Sequence, residues 1–309
     1  MKKNPWIVGI WVFIALFVFD AQWTVYGMEA PENRPEPSRL FAIPKGEVLD
    51  AFVVNLCAGR GFGVEGGGSF WGLSAGLGGV GEIEISTTKT VNRLTEETQA
   101  FPISAFKVQL LSEKSSQPSI SVALRACDWN SWFADRSRFT VAASSLTIDG
   151  EPLQTVDFDS RFTILYVAAS KTFGPWQFHG GLSLTDVRTR EGRVYTRMGR
   201  KELQDLKENV VSGFAGIEYQ KNAHTKLLVD LQSVPEYNLD QHSEELTVSR
   251  LWLGIGGIRF FLTPWLAIDG GVAYQSNYSG IGDAEITLGA NVTFDVVRRF
   301  SKKARNSEQ

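Results

Sequence analysis

The sequence predicts an all-β chain: an antiparallel, up-and-down transmembrane barrel of about twelve strands, within a range of roughly 10–14. Three observations lead there. The apolar residues alternate with polar ones at period two through segment after segment. The connections between segments alternate between tight turns and longer loops, the short turns falling on the side of both termini, as in an up-and-down barrel. The polar face carries charge at mid-strand, at Glu82, Glu84, Lys107, Arg125, Asp230, Arg259, Asp269, Glu285 and Asp295. Adjacent inward glutamates such as Glu82 and Glu84 are very costly in a dry core and cheap in a wet lumen. A soluble sandwich with solvated charged faces is the competing reading, although more lysine on its exposed edges would then be expected.

The chain opens with Lys2 and Lys3 before an apolar run from Trp6 to Phe19, with small residues near Gly27 and Ala30. That is the pattern of a secretory signal peptide, expected over 1–27. The run falls short of the ~20 residues a spanning helix needs, and no later apolar run is uninterrupted. Residues 28–46, rich in Pro and charge, read as an irregular periplasmic lead-in. The barrel is expected over 47–300 and a basic tail over 301–309. Net charge is −3 with a pI near 5.8, so no nucleic-acid partner is implied. Thirty glycines, twenty phenylalanines and nine tryptophans suit a barrel with aromatic belts.

In order, strand one (47–57) sets Phe52, Val54 and Leu56 against Val53, Asn55 and Cys57. Strand two (69–77) has the apolar set Trp71, Leu73, Ala75 and Leu77. Strands three (81–87), four (101–111) and five (119–127) place Ile83, Phe106 and Leu124 opposite Glu82, Lys107 and Arg125. The connection 128–159 holds a β-like piece at 139–148, read as a loop hairpin or an added strand pair. Strand six (160–170) and strand seven (176–185) follow, the latter with His179 on its polar face. Residues 186–209 form a long connection whose second half, 201–209, could be a short helix. Strands eight (210–219) and nine (226–234) make the next hairpin. In strand ten, Leu251, Leu253 and Ile255 give way to Ile258 and Phe260, a phase change at Gly256-Gly257 that reads as a bulge. Strand eleven (266–275) leads to the last, 285–300, with Ile286, Leu288 and Phe294 on one face and Glu285, Asn291 and Asp295 on the other.

With its signal-peptide-like start, the hairpin series over 47–300 and a last strand ending on Phe300, the chain resembles a bacterial outer-membrane β-barrel protein. The opening PSRLFAIPKGEVLDAF and the hairpin LGGVGEIEIS are similar to those of uncharacterised barrels of this class. The resemblance implies an outer-membrane location, contact with outer-membrane lipid and lipopolysaccharide, and reading of the terminal strand by the barrel-assembly machinery. The basic tail after Phe300 departs from the usual pattern. Oligomeric state is not read from the sequence.

Motifs for chemistry are weak. Gly61 to Gly66 fits GxGxxG, but β-like sequence follows where a dinucleotide site needs a helix. Gly72-Leu73-Ser74-Ala75-Gly76 fits GxSxG inside a strand rather than at a strand–turn–helix elbow. Gln241 to Glu245 is a His/Ser/acid cluster on a loop. No cofactor, metal site or enzyme activity is expected. Arg188, Arg190, Arg193, Arg197 and Arg200 form the strongest charge run and are candidates for lipopolysaccharide phosphate, for which Arg is suited; a solvated loop is the plainer alternative. Cys57 and Cys127 lie on the polar face near the loop ends of non-neighbouring strands, so a bridge between them would require loop movement. The expected lumen lining is Glu82, Glu84, Lys107, Arg125, His179, Asp230, Arg259, Asp269, Glu285 and Asp295. With Glu218 included, acids exceed bases there, which favours cations or neutral polar solutes in a passive pore. The alternative is a non-conducting structural barrel, or an accessory to polysaccharide or lipid export.

Overall fold

The computed structural model describes residues 36–63, 69–89, 100–127, 138–142, 147–148, 151–152, 154–196, 199–239 and 245–297. The expected signal peptide, Phe300, the basic tail, Arg197, residues 64–66 and residues 241–244 lie outside the described residues. Twelve strands close the barrel: β1 (Val53–Phe62), β2 (Ser69–Leu77), β3 (Gly81–Lys89), β4 (Ala100–Leu111), β5 (Ser119–Cys127) and β6 (Gln154–Phe173). They continue with β7 (Trp176–Thr196), β8 (Lys207–Gln220), β9 (Thr225–Leu239), β10 (Leu246–Thr263), β11 (Leu266–Gln275) and β12 (Glu285–Asp295). Each strand pairs antiparallel with the next, and β12 closes on β1 from Val53↔Asp295 to Phe62↔Ile286.

The pleat runs apolar side out. Phe52 is 62% exposed and Leu182 65%, whereas Glu218 is 2% exposed and Arg259 and Asp230 1% each. A soluble protein with this distribution would be inside out. A lipid-facing wall around a polar lumen accounts for it. Among the described residues no helix is long and apolar enough to cross a membrane, so crossing falls to the strands. Exposed Phe52, Phe106, Phe173, Trp176, Phe260 and Trp265 gather near the turn end, and Phe62, Trp71 and Trp252 near the loop end, as aromatic girdles do at the two interfaces. The tight turns use Gly78, Gly79 and Gly174 at positive φ, backbone that L side chains rarely adopt.

Four expectations need correction. Strands β6 and β7 run well past their predicted ends, because their outer halves pair with each other beyond the rim, to Thr196↔Gln154, with a register shift between Arg190 and Arg193. The possible helix at 201–209 is instead the strand Gly199–Glu202, paired from Arg193↔Glu202 to Thr196↔Gly199, followed by the start of β8. No bulge occurs at Gly256-Gly257: the ladder passes straight through as Val229↔Gly256 and Leu228↔Gly257. Leu251, Leu253 and Ile255 simply point into the lumen, so the phase change is a change in what the lumen holds. The last strand ends at Asp295, and Val296 and Val297 turn helical. The β-like piece at 139–148 is a loop feature: Arg138–Ala142 pairs on the outer half of β6, and Thr147–Ile148 pairs with Glu151–Pro152.

Candidate functional site

The described part of the lead-in is irregular, as expected, but it lies inside the barrel. Residues 36–49 form a re-entrant hairpin, with Leu40 N–H donating to Ile43 O at 3.0 Å and Lys45 N–H to Ser38 O at 3.0 Å. Its two arms start at the turn end: Glu36 contacts Lys226, the second residue of β9, and Leu49 N–H donates to Glu82 Oε2, on the second residue of β3, at 3.1 Å. The tip, Leu40 to Ile43, reaches Asp230 and Gly257, roughly 15–20 Å along the strands at ~3.3 Å per residue. Leu40 and Ile43 are buried against Leu228, with Phe41 and Phe214 beside them. Glycines make the room. A Cβ on Gly216 would overlap Leu40 and Ile43, one on Gly257 would sit 2.9 Å from Phe41, and one on Gly72 would sit 2.6 Å from Arg39.

Charged groups fasten this hairpin to the wall. Glu218 holds the ammonium groups of Lys45 and of Lys226, the latter at 2.9 Å, and His179 Nε2 lies 3.2 Å away. Glu36 meets Lys226 and lies 3.8 Å from Lys45. Glu84 lies between Arg39 and Arg125, each at 3.3 Å, and Arg39 also reaches Cys57 Sγ. Glu82 accepts from Ser38 Oγ at 2.5 Å and pairs with Lys107 at 3.6 Å. Arg259 grips Asp269 with two bonds of 2.8 Å and donates to Leu40 O at 3.3 Å. Asp230 Oδ2 accepts from Ala42 N–H at 2.8 Å and Ile43 N–H at 3.4 Å. Buried charges persist only when paired in this way. Burial alone would raise the Glu36 carboxyl, but Lys226 and Lys45 override it and hold it below the usual carboxylate range.

One further chain of contacts starts from the hairpin backbone. Gly46 N–H donates to Ser170 Oγ at 2.6 Å, and Ser170 Oγ lies 2.7 Å from His179 Nδ1. Because the Glu218 carboxylate faces Nε2 at 3.2 Å, it favours the imidazole proton on Nε2, with Nδ1 then accepting from the Ser170 hydroxyl. The Ser–His–Glu order resembles a hydrolase triad with the two ring nitrogens exchanged, and Gly46 N–H occupies the serine oxygen.

All ten predicted lumen residues point inward. Glu82, Glu84, Lys107, His179, Asp230, Arg259, Asp269 and Glu285 are buried, and Arg125 and Asp295 are half-buried. The hairpin gathers Glu82, Glu84, Lys107, Arg125, His179, Asp230, Arg259 and Asp269 around itself, while Glu285 lies at the outer end of β12 and Asp295 at its inner end. Sequence reasoning missed Glu36, Arg39, Lys45, Ser170 and Lys226. Lys226 shares parity with Asp230 and could have been found. Ser170 shares parity with Ser160 on β6, and the apolar island Leu40–Ile43 between two prolines was the signal for Glu36, Arg39 and Lys45. Cys57 and Cys127 are both buried and do not form a disulfide with each other.

At the loop end the lumen changes character. Inward side chains from β4 round to β10, among them Ile103, Phe158, Phe162, Val187, Tyr237 and Leu246, form one apolar cluster, with Leu203 and Leu206 packed against it. Phe158 meets Tyr237 edge-on at 5.0 Å between centroids, and the Tyr237 hydroxyl bonds Ser160. The remaining wall presents small and polar groups, such as Ala273, Thr287, Gly59 and Ser86. The arginine run stands on the outer extension of β7 and the strand beside it. Arg188 bonds Asp186 at 2.9 Å, Arg200 lies 3.4 Å from Glu202, and Arg193 sits in register with Glu202 and Asp157. Carboxylates thus accompany the run.

No family model and no curated protein matches the chain. Among solved structures it is similar to the translocator domain of autotransporter NalP from Neisseria meningitidis, at 10% identity over 78% of this chain and 87% of that one, with a TM-score of 0.45. It is also similar to the NanC porin, at 9% identity over 79% and 100% with a TM-score of 0.41, and to CdiB from Acinetobacter baumannii, at 8% identity over 80% and 61% with a TM-score of 0.37. These likenesses concern the barrel alone. The molecule itself is a closed twelve-stranded barrel with its apolar face outward and its polar face around a filled lumen, the architecture of outer-membrane β-barrels.

Proposed function

We propose that the chain is an outer-membrane pore that rests closed, its lumen stoppered by residues 36–49, and that passes small polar or cationic solutes when the hairpin withdraws toward the turn end. The observation that supports this reading is the way the hairpin is held. It enters and leaves by the same end, so it withdraws without threading, and charged pairs rather than a continuous apolar core attach it. Wall acids outnumber wall bases around it, which favours cations. Planar-bilayer recording tests the reading. The intact chain is expected to be silent, with cation-selective openings when the hairpin is loosened by Arg39→Ala with Lys45→Ala. Silence of a folded, inserted double variant would refute it.

The apolar cluster at the outer end favours a second reading, a non-conducting structural or envelope-assembly barrel. The same recording separates the two. No catalytic role is proposed, since Ser170 faces His179 Nδ1 and Glu218 faces Nε2, the reverse of the arrangement in a hydrolase triad. Export by a signal peptide, contact of the arginine run with lipopolysaccharide phosphates, and reading of the last strand by the assembly machinery belong to the same proposal.

A further inference from the structure

The hairpin is close to neutral, with Glu36 and Glu47 balancing Arg39 and Lys45. Glu47 Oε1 accepts from Ser119 Oγ at 3.0 Å and from Gln177 Nε2 at 2.9 Å, while the hairpin's own donors go mainly to wall carboxylates. Glu84 receives the Arg39 guanidinium, Glu218 the Lys45 ammonium, Asp230 the Ala42 and Ile43 N–H groups, and Glu82 the Ser38 hydroxyl and Leu49 N–H. On withdrawal four wall carboxylates lose N–H or O–H donors. Of the wall cations, Lys226 loses the Glu36 carboxylate, while Arg259 and Lys107 lose only the carbonyls of Leu40 and Ser38. Asp230 Oδ1 is buried and has no hydrogen-bond partner among the described residues even with the hairpin seated. After withdrawal Glu84 keeps Arg125, Glu218 keeps Lys226 and Glu82 keeps Lys107, each short of a hairpin donor, while Asp230 loses the Ala42 and Ile43 N–H groups; a carboxylate left without donors in a confined site is strongly disfavoured.

We propose that the seat of the hairpin is a binding site for small organic cations that carry guanidinium or primary ammonium groups, the chemistry of basic amino acids and polyamines. Glu84 with Cys57 forms the guanidinium niche, Glu218 the ammonium niche, and Asp230 an additional acceptor. Arg39 and Lys45 are then built-in occupants, and the solute takes their places. The inference rests on the pore reading for its biological use, but its test is a binding measurement that does not depend on conductance.

The test is chemical rescue in the full-length chain. Arg39 reaches Cys57 Sγ, so Arg39→Ala is expected to leave the Cys57 thiol open to a water-soluble maleimide. Agmatine, which carries both groups, should slow that labelling about tenfold at ten times its dissociation constant. Tetramethylammonium, which has no N–H to donate, should not slow it at equal ionic strength. In Lys45→Ala, agmatine should raise the temperature at which the folded gel band converts to the unfolded one. This second readout also covers the case in which Arg39→Ala does not fold. Labelling unchanged by agmatine in a folded Arg39→Ala barrel, or no shift in Lys45→Ala, overturns the proposal, as does equal protection by tetramethylammonium. Binding without conductance would remove the pore reading and leave the site, and conductance without binding would do the reverse.

Discussion

At the inner end of the lumen Arg39, Lys45 and Glu36 meet Glu84, Glu218 and Lys226; at the outer end Phe158, Phe162, Tyr237 and Leu246 meet one another. The inner end is stoppered and the outer end is packed along one side, by interactions that respond to different conditions. Ion pairs depend on protonation and on each partner's presence, and losing one partner leaves the other as a buried unpaired charge. Apolar packing is nearly indifferent to pH, and it fails in proportion to the volume removed. The inner end is thus the part of the molecule suited to movement, and the outer end the part suited to holding β6 and β7 in place.

The largest separation between the ends should come from Glu218→Leu. It leaves Lys45 and Lys226 to share Glu36 alone and is expected to cost about 3 kcal/mol, read as a drop in the urea midpoint together with exposure of Cys57. Phe158→Ala should cost about 3 kcal/mol, with Cys127 exposed and Cys57 still covered; the reverse pattern of labelling would break the comparison. Acid should act on the inner end alone. The Glu36 carboxyl is held below its ordinary value of 4.5, so its contribution to seating is complete above that value and is lost as pH falls through the lower folded one. Cys57 labelling, taken relative to that of the unfolded chain at the same pH because maleimide reacts with the thiolate, should therefore rise on acidification, and Glu36→Gln should remove the Glu36 part of that rise. The smallest effect is expected at the turn after β4, where Glu113 accepts from Thr172 N–H at 2.8 Å and Thr172 Oγ1 at 3.0 Å. Glu113 is half-buried at the turn, so Glu113→Gln should lower stability by no more than about 1 kcal/mol and leave both thiols covered.

The wall was legible because the strand period is fixed at two, so one inward residue places its whole strand: Glu82 predicts Glu84 and Ser86, and Lys107 predicts Gln109. The direction of the pleat was legible because charged residues such as Arg259 and Asp269 recur at mid-strand. What the lumen contains was less so. Leu251, Leu253 and Ile255 break the polar-inward pattern while the ladder runs on unshifted through Gly256 and Gly257, and sequence alone cannot tell that from a bulge. The hairpin has neither period two nor a helical period, and its order comes from contacts to residues as distant in sequence as Asp230 and Arg259. Strands β6 and β7 outran their predicted ends because their outer halves pair across one another, where Arg188 to Arg193 read locally as a charged loop.

Labelling of the two native thiols with a water-soluble maleimide tests the central claim most directly, since Cys57 reports on the inner seal and Cys127 on the outer one. In the folded full-length chain both should be protected. In Gly216→Leu, whose side chain takes the space of Leu40 and Ile43, Cys57 should become reactive while Cys127 stays covered. Reaction of Cys57 in the unaltered folded barrel at the rate of the unfolded chain, or exposure of both thiols together in Gly216→Leu, would contradict a lumen stoppered by its own hairpin.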